Sequence, residues 1–167
     1  IITSVTFSPD GRRVAFVVTV LREYRLARQL IVDGTEVATC HRIGGLAFSP
    51  DGQHLAYVMQ VENPSEPYAT VVVDGKEGIH HRSREETIIR WPFFSPDSKH
   101  VAYAIGQGLA DERDERVILD GQKGPFFDAI YQCPDGTGPV FLGDGALEYL
   151  AWKDNAFYRI RHIPGSQ

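Results

Sequence analysis

The sequence of 167 residues has two cysteines, one methionine, no long apolar run and no excess of positive charge. Each shortage excludes something. Cys40 and Cys133 stand 93 positions apart, which rules out a disulfide-dense scaffold and any close-spaced zinc motif. Two free thiols are the simpler expectation, with one long-range disulfide the alternative, and the compartment stays undecided. The longest strongly apolar stretch, Val14 to Leu21, is eight residues and includes Thr19. A membrane-crossing helix needs roughly 20, so no membrane insertion is expected. The opening residues, IITSVTFSPDG, lack the basic-then-apolar order of a signal peptide. With 17 basic against 22 acidic residues the formal net charge is −5, which argues against nucleic acid as a partner. What is present is 43% hydrophobic residues, enough for one domain with its own core.

The apolar residues recur in register. Phe-Ser-Pro-Asp-Gly stands at Phe7–Gly11 and at Phe48–Gly52, Phe-Ser-Pro-Asp-Ser at Phe94–Ser98, and Phe-Leu-Gly-Asp-Gly at Phe141–Gly145, with spacings of 41, 46 and 47 residues. A second landmark follows each, an aliphatic-Ala-aromatic triplet: Val14-Ala15-Phe16, Leu55-Ala56-Tyr57, Val101-Ala102-Tyr103 and Leu150-Ala151-Trp152. A third is an apolar run closed by Asp-Gly at Asp33-Gly34, Asp74-Gly75 and Asp120-Gly121. Each of these aspartates lies 22 residues after the end of its first turn (Gly11, Gly52, Ser98).

Ser-Pro-Asp-Gly is turn chemistry: proline presets φ, aspartate bonds to nearby backbone, and glycine accepts positive φ. It links a first strand to a second. Asp-Gly between β-branched residues is a type I′ hairpin signal and links a third strand to a fourth. Between the second and third strands, Leu21–Arg28, Glu62–Tyr68 and Gln107–Arg116 are expected as exposed loops. A four-stranded antiparallel unit of about 40 residues is the signature of a β-propeller blade. The expected fold is therefore all-β, with little helix. The blades run over about 1–41, 42–87, 88–134 and 135–167, the last incomplete. The first Phe and the triplet residues should pack between blades. By period two, Leu30, Val32, Val71, Val73, Val117 and Leu119 share one face of the third strands.

In the fourth copy two extra residues separate the turn from Leu150, Lys153-Asp154-Asn155-Ala156 reads as a tight hairpin, and Pro164-Gly165 stands where Asp-Gly is expected. No fourth strand follows. Four copies could close a small ring or form part of a larger one. The unfinished blade offers an edge for self-association.

The FSPDG, VAY and VVDG landmarks resemble the WD-repeat-like propeller repeat of bacterial TolB-like proteins, with related repeats in the propeller domains of prolyl-oligopeptidase-type peptidases. The Gly-His and Trp-Asp pairs of true WD repeats are absent. The resemblance implies a toroid used for protein binding or scaffolding. It also implies a periplasmic or secreted setting, a cytoplasmic one remaining open. It carries no catalytic motif, and fold alone does not decide function. A non-enzymatic module binding another protein is the leading expectation, with no cofactor, metal or catalytic residue. The alternatives are the substrate-filtering propeller of a peptidase and a small-ligand or glycan-binding propeller.

Ser8, Ser49 and Ser95 precede proline in turns and sit in no nucleophile elbow. Asp10, Asp51, Asp97, Asp144, Asp33, Asp74 and Asp120 are turn residues. His54 and His100 take the place of Arg13 and are expected to face solvent. The run Asp111–Arg116 alternates in sign and is expected as an exposed loop. The best candidate binding surface is the insertion HHRSREETIIRWP. It supplies His80, His81, Arg82, Arg84, Glu85, Glu86, Arg90 and Trp91, and it brings together Arg and Trp, types enriched at interface hot spots. The two adjacent histidines should point to opposite faces of a strand, which argues against their sharing a metal.

Overall fold

A computed structural model describes residues 1–22, 24–82, 87–90, 92–107, 114–131 and 138–165. These residues form four antiparallel sheets, one per repeat, and contain no helix. Blade 1 comprises β1 (Ile2–Phe7), β2 (Val14–Arg22), β3 (Arg25–Val32) and β4 (Thr35–Cys40), in that spatial order. Blade 2 comprises β5 (Arg42–Phe48), β6 (Leu55–Val61), β7 (Tyr68–Val73), β8 (Lys76–Glu77) and β9 (His81–Arg82). Blade 3 comprises β10 (Ile88–Ile89), β11 (Phe93–Phe94), β12 (Val101–Gln107), β13 (Asp114–Leu119) and β14 (Gln122–Lys123). Blade 4 comprises β15 (Ala129–Ile130), β16 (Val140–Phe141), β17 (Leu147–Lys153) and β18 (Ala156–His162).

The turns form for the reasons legible in their residues. Asp33-Gly34, Asp74-Gly75, Asp120-Gly121 and also Asp154-Asn155 have positive φ at both positions, as a type I′ turn requires. Ser98 adopts φ 64° where Gly11 and Gly52 stand in the earlier copies. Their missing Cβ explains why glycine is the usual occupant.

The core lies between blades, not within them. Ala15, Val17, Leu30 and Val32 of blade 1 meet Leu55, Tyr57, Met59 and Val72 of blade 2. Val58, Val71 and Val73 on the other face of blade 2 meet Tyr103, Ile105 and Ile118. Ala102, Ala104, Val117 and Leu119 meet Leu147, Tyr149 and Ala151. Blades 2 and 3 thus pack the second-strand aromatic (Tyr57, Tyr103) against the preceding blade and turn the second-strand alanine (Ala56, Ala102) toward the following one. No cluster joins blade 4 back to blade 1 among the described residues, and Val5 and Phe7 stay 50% and 64% exposed.

Several sequence expectations shift. His81–Arg82 pairs with β7, as Lys76–Glu77 does, so the histidine pair belongs to a broken outer strand rather than to an insertion. The break is a bulge at Gly78, whose amide bonds to the Val71 carbonyl at 2.9 Å and whose absent Cβ would lie 3.0 Å from that oxygen. Ile88–Ile89 already pairs with β12, as part of the third sheet. Ala129–Ile130 pairs with β17, which starts the fourth sheet ahead of residue 135. Of the expected loop Leu21–Arg28, Leu21, Arg22 and Arg25 to Arg28 are strand, because β2 and β3 run together as far as the Arg22–Arg25 pair. Likewise Gln107 pairs with Asp114. In blade 4, Phe141 opposes Leu147, just as Phe7 opposes Val14, Phe48 opposes Leu55 and Phe94 opposes Val101. The triplet of that blade is therefore Leu147-Glu148-Tyr149, not Leu150-Ala151-Trp152, and its first turn is one residue shorter than the others rather than two longer.

Candidate functional site

The recurrent serines and aspartates are committed to the turns. Ser8 donates to Asp10 at 2.6 Å and Ser95 to Asp97 at 2.6 Å, and Ser49 donates to Asp51 in the same way. Each serine oxygen also accepts a backbone N–H, from Arg13, His54 or His100. The serine hydroxyl, and after it a backbone N–H, hold Asp10, Asp51 and Asp97 below the ordinary carboxylate pKa. A hydroxyl so engaged is a structural clip.

The histidines expected to face solvent do more than that. His54 Nδ1 lies 2.6 Å from Asp74, His100 Nδ1 lies 2.6 Å from Asp120, and Arg13 Nε donates to Asp33 at 3.0 Å. The other oxygen of each aspartate accepts the backbone N–H of Val14, Leu55 or Val101. This clasp ties the two turns of a blade together. The same side chain then lies over the first Phe of the next blade: Arg13 over Phe48 (5.2 Å), His54 against Phe94 (6.3 Å) and His100 against Phe141 (6.4 Å).

Of the candidate binding surface, Arg84, Glu85, Glu86 and Trp91 lie outside the described residues. The remaining four part company. His80 is exposed, stacks on Tyr68 with ring centroids 4.0 Å apart, and bonds to Glu77 at 2.7 Å. Tyr68 donates to the same Glu77 oxygen at 3.1 Å. Arg82 is exposed beside them. His81 turns inward and is buried, with Nε2 3.1 Å from the Tyr103 hydroxyl. Burial, reinforced by Lys123, Arg116 and His80, lowers its pKa to about 4, so the ring is neutral at pH 7. Arg90 is not free for a partner: it donates to the buried Glu115 at 2.7 Å, whose second oxygen accepts the Ile130 amide at 2.7 Å. Glu115 therefore departs from the exposed-loop expectation and bridges blades 3 and 4. Of the same charge run, Asp111–Arg113 lie outside the described residues.

A cleft of about 590 Å³ opens between blades 1 and 2, bordered by Tyr68 and Glu77, the two partners of His80. Its origin is a repeat position. Three residues after the bulge glycine (Gly78 or Gly124), the outer strand sends one side chain toward the tyrosine of the next blade: His81 toward Tyr103 and Phe127 toward Tyr149, both edge-on at 5.9 and 6.3 Å. Cys40 holds this place against Tyr57 and is smaller. The space it leaves is the cleft, which Tyr57 lines with no hydrogen-bond partner for its hydroxyl among the described residues. Burial raises the Tyr57 pKa, and burial raises that of the free Cys40 thiol, which donates to the Arg42 carbonyl at 3.0 Å. Cys133 lies outside the described residues. Among the described residues no group of three or more His, Cys, Asp and Glu is placed to hold a metal. The sequence reading missed the cleft, because its signal is a cysteine aligned with a histidine across a bulge.

No protein-family model and no curated protein sequence matches the chain. Solved structures do. The β-propeller domain of the Trilobed protease from Pyrococcus furiosus, described as having an open velcro topology, aligns over 96% of this chain and 57% of its own at 12% identity, with a TM-score of 0.52. Prolyl oligopeptidase B from Galerina marginata aligns over 99% of this chain and 29% of its own at 12% identity, with a TM-score of 0.53. A putative TolB from Agrobacterium tumefaciens aligns over 93% of this chain and 56% of its own at 17% identity, but its TM-score of 0.47 carries no weight. The chain thus spans little more than half of the first solved structure it matches. At these identities the likeness is one of fold: the chain is built of β-propeller blades.

Proposed function

We propose that this chain is a non-enzymatic binding module that engages another protein through the cleft between blades 1 and 2 and its His80–Tyr68–Glu77 rim. The observation that carries the reading is the cleft itself. Two of the three inter-blade slots are filled by His81 or Phe127, and the one holding Cys40 is left open and lined by Tyr57. A concave site with aromatic walls and a few fixed polar groups suits a protruding side chain or peptide segment. The engagement of Ser8, Ser49 and Ser95 each with an aspartate supports a binding role over a catalytic one.

A photo-crosslinking residue at position 80, with one at position 153 as control, tests this in extract of the source cells. The reading expects a discrete adduct from position 80 that Tyr68→Ala abolishes. Equal labelling from both positions, or peptide hydrolysis by the purified chain, refutes it. The second reading, a substrate-filtering propeller of a peptidase, draws only on the names of the solved neighbours. A hydrolase domain in the same gene product would favour it.

A further inference from the structure

Three junctions inside the chain define what one blade requires of the next. The leading blade supplies an arginine or histidine just before its second strand, which lies over the first Phe of the following blade (Arg13–Phe48, His54–Phe94, His100–Phe141). It supplies an alanine second in that strand, fully buried in blades 1 to 3 (Ala15, Ala56, Ala102). Opposite, its third strand is apolar, pairing Ala15 with Val32, Ala56 with Val73 and Ala102 with Leu119. Small and apolar residues there let two sheets approach to packing distance.

The two ends of the array differ against this pattern. Blade 1 presents the receiving face complete and uncovered. Val5 opposes Phe16, Phe7 opposes Val14, and Phe16 opposes Ile31, so these side chains share one face. Phe7, the counterpart of three phenylalanines that each lie against an Arg or His side chain of the preceding blade, is 64% exposed. Blade 4 does not present the complement. Ala146 stands where Arg13, His54 and His100 stand. Glu148 takes the alanine place, bonded to Arg159 at 2.8 Å, and Arg161, opposite it, pairs with Asp144. His162, opposite Leu147, replaces the clasp aspartate. Charges at the centre of a sheet face resist burial against another sheet. A polar outer face of this kind is what a terminal repeat carries.

We infer that the exposed face of blade 1 is a docking site for a further blade of the regular type, one carrying Arg or His before its second strand and Ala within it, and that blade 4 is a cap which a second copy cannot use to fill that site. Continuity with the three internal interfaces carries the inference.

Sedimentation velocity on the purified chain tests it, using as probe a copy whose cap has been made regular: Glu148→Ala, Arg159→Leu, Arg161→Val. The wild-type chain is expected to sediment as a monomer. The triple variant, with circular dichroism confirming its sheet, is expected to associate head to tail at least tenfold more tightly, and Phe7→Asp in the same chain is expected to abolish this. Glu148→Ala alone serves if the triple variant does not fold, with a smaller shift of about threefold expected. A regularised chain that stays monomeric, or associates equally with Asp at position 7, overturns the inference. So does a wild-type dimer broken by Phe7→Asp, which would make a second copy the occupant.

Discussion

Blades 1 and 4 each have one neighbour within the chain, yet their free faces have diverged in opposite directions. Blade 1 keeps every residue an internal blade would need to receive a partner: Phe7, Phe16 and Ile31 stand where Phe48, Tyr57 and Val72 are packed. Blade 4 has exchanged its packing residues for an ion-paired surface built on Glu148, Arg159 and Arg161. In this array, what a position must be is set by the sheet across from it more than by its own strand. Where a neighbouring blade packs, at Ala15, Ala56 and Ala102, the position is alanine, and on the blade 4 face, which meets no other blade among the described residues, it is Glu148.

The sharpest way to break this comparison is to exchange the two residues. Ala102→Glu places an unpaired carboxylate in the junction between blades 3 and 4 and should cost at least about 4 kcal/mol, or abolish cooperative unfolding. Glu148→Ala, at the equivalent place on the cap, should change stability by no more than about 1 kcal/mol. Urea unfolding measures both.

The attachment of the cap comes next in size. Arg90→Ala leaves the buried Glu115 carboxylate without its cation and should cost about 3–5 kcal/mol by the same urea measurement. Smaller effects separate the inner junctions. His81→Phe copies the Phe127 arrangement into the blade 2–3 slot and strips the Tyr103 hydroxyl of its partner, at a cost of about 1–3 kcal/mol. The converse change, Phe127→His, offers a partner to the Tyr149 hydroxyl, which is buried and has none among the described residues, and should stabilise by about 1 kcal/mol above pH 7. The pH dependence has a definite sign. A histidine whose folded pKa is lowered to about 4 is protonated more readily in the unfolded chain, so its contribution is complete above about pH 6.5 and declines as pH falls toward 4. Wild-type stability should drop across that window by up to about 1.4 kcal/mol per pH unit more than that of His81→Phe. The smallest contrast is in the turns. Gly11 and Gly52 share positive φ (70° and 71°), so alanine costs about 1 kcal/mol at either. Only at Gly52 does the new Cβ also meet a neighbouring blade, 3.3 Å from the Ser8 Cβ, so Gly52→Ala should cost measurably more in a thermal melt.

The sequence carried the blade plan because its landmarks are local. A Ser-Pro-Asp-Gly turn, a type I′ Asp-Gly and a two-residue alternation each announce themselves within a few residues. What stayed hidden was non-local. The bulge at Gly78 interrupts the alternation, so the outer strand that ends in His81–Arg82 reads as an insertion. The first strand of blade 4 is split between Ala129–Ile130 and Val140–Phe141, and neither half has a signature of its own. Ala151 imitates the triplet alanine, while the true position holds Glu148, on a face that packs against no other blade among the described residues. Glu115 sits in a run of alternating charge whose partner, Arg90, is 25 residues away. Of the candidate surface, the opposite facing of His80 and His81 followed from strand geometry, whereas the cleft beside them depends on which residue fills a slot in the next sheet.

The account rests most heavily on the open state of the blade 1 face and the covered state of its internal counterparts. Hydroxyl-radical footprinting of the native chain, read by mass spectrometry, addresses this directly. Phe7 should be oxidised several-fold faster than Phe48 and Phe94, each of which lies under a side chain of the preceding blade. Protection of Phe7 equal to that of Phe48 would contradict the account.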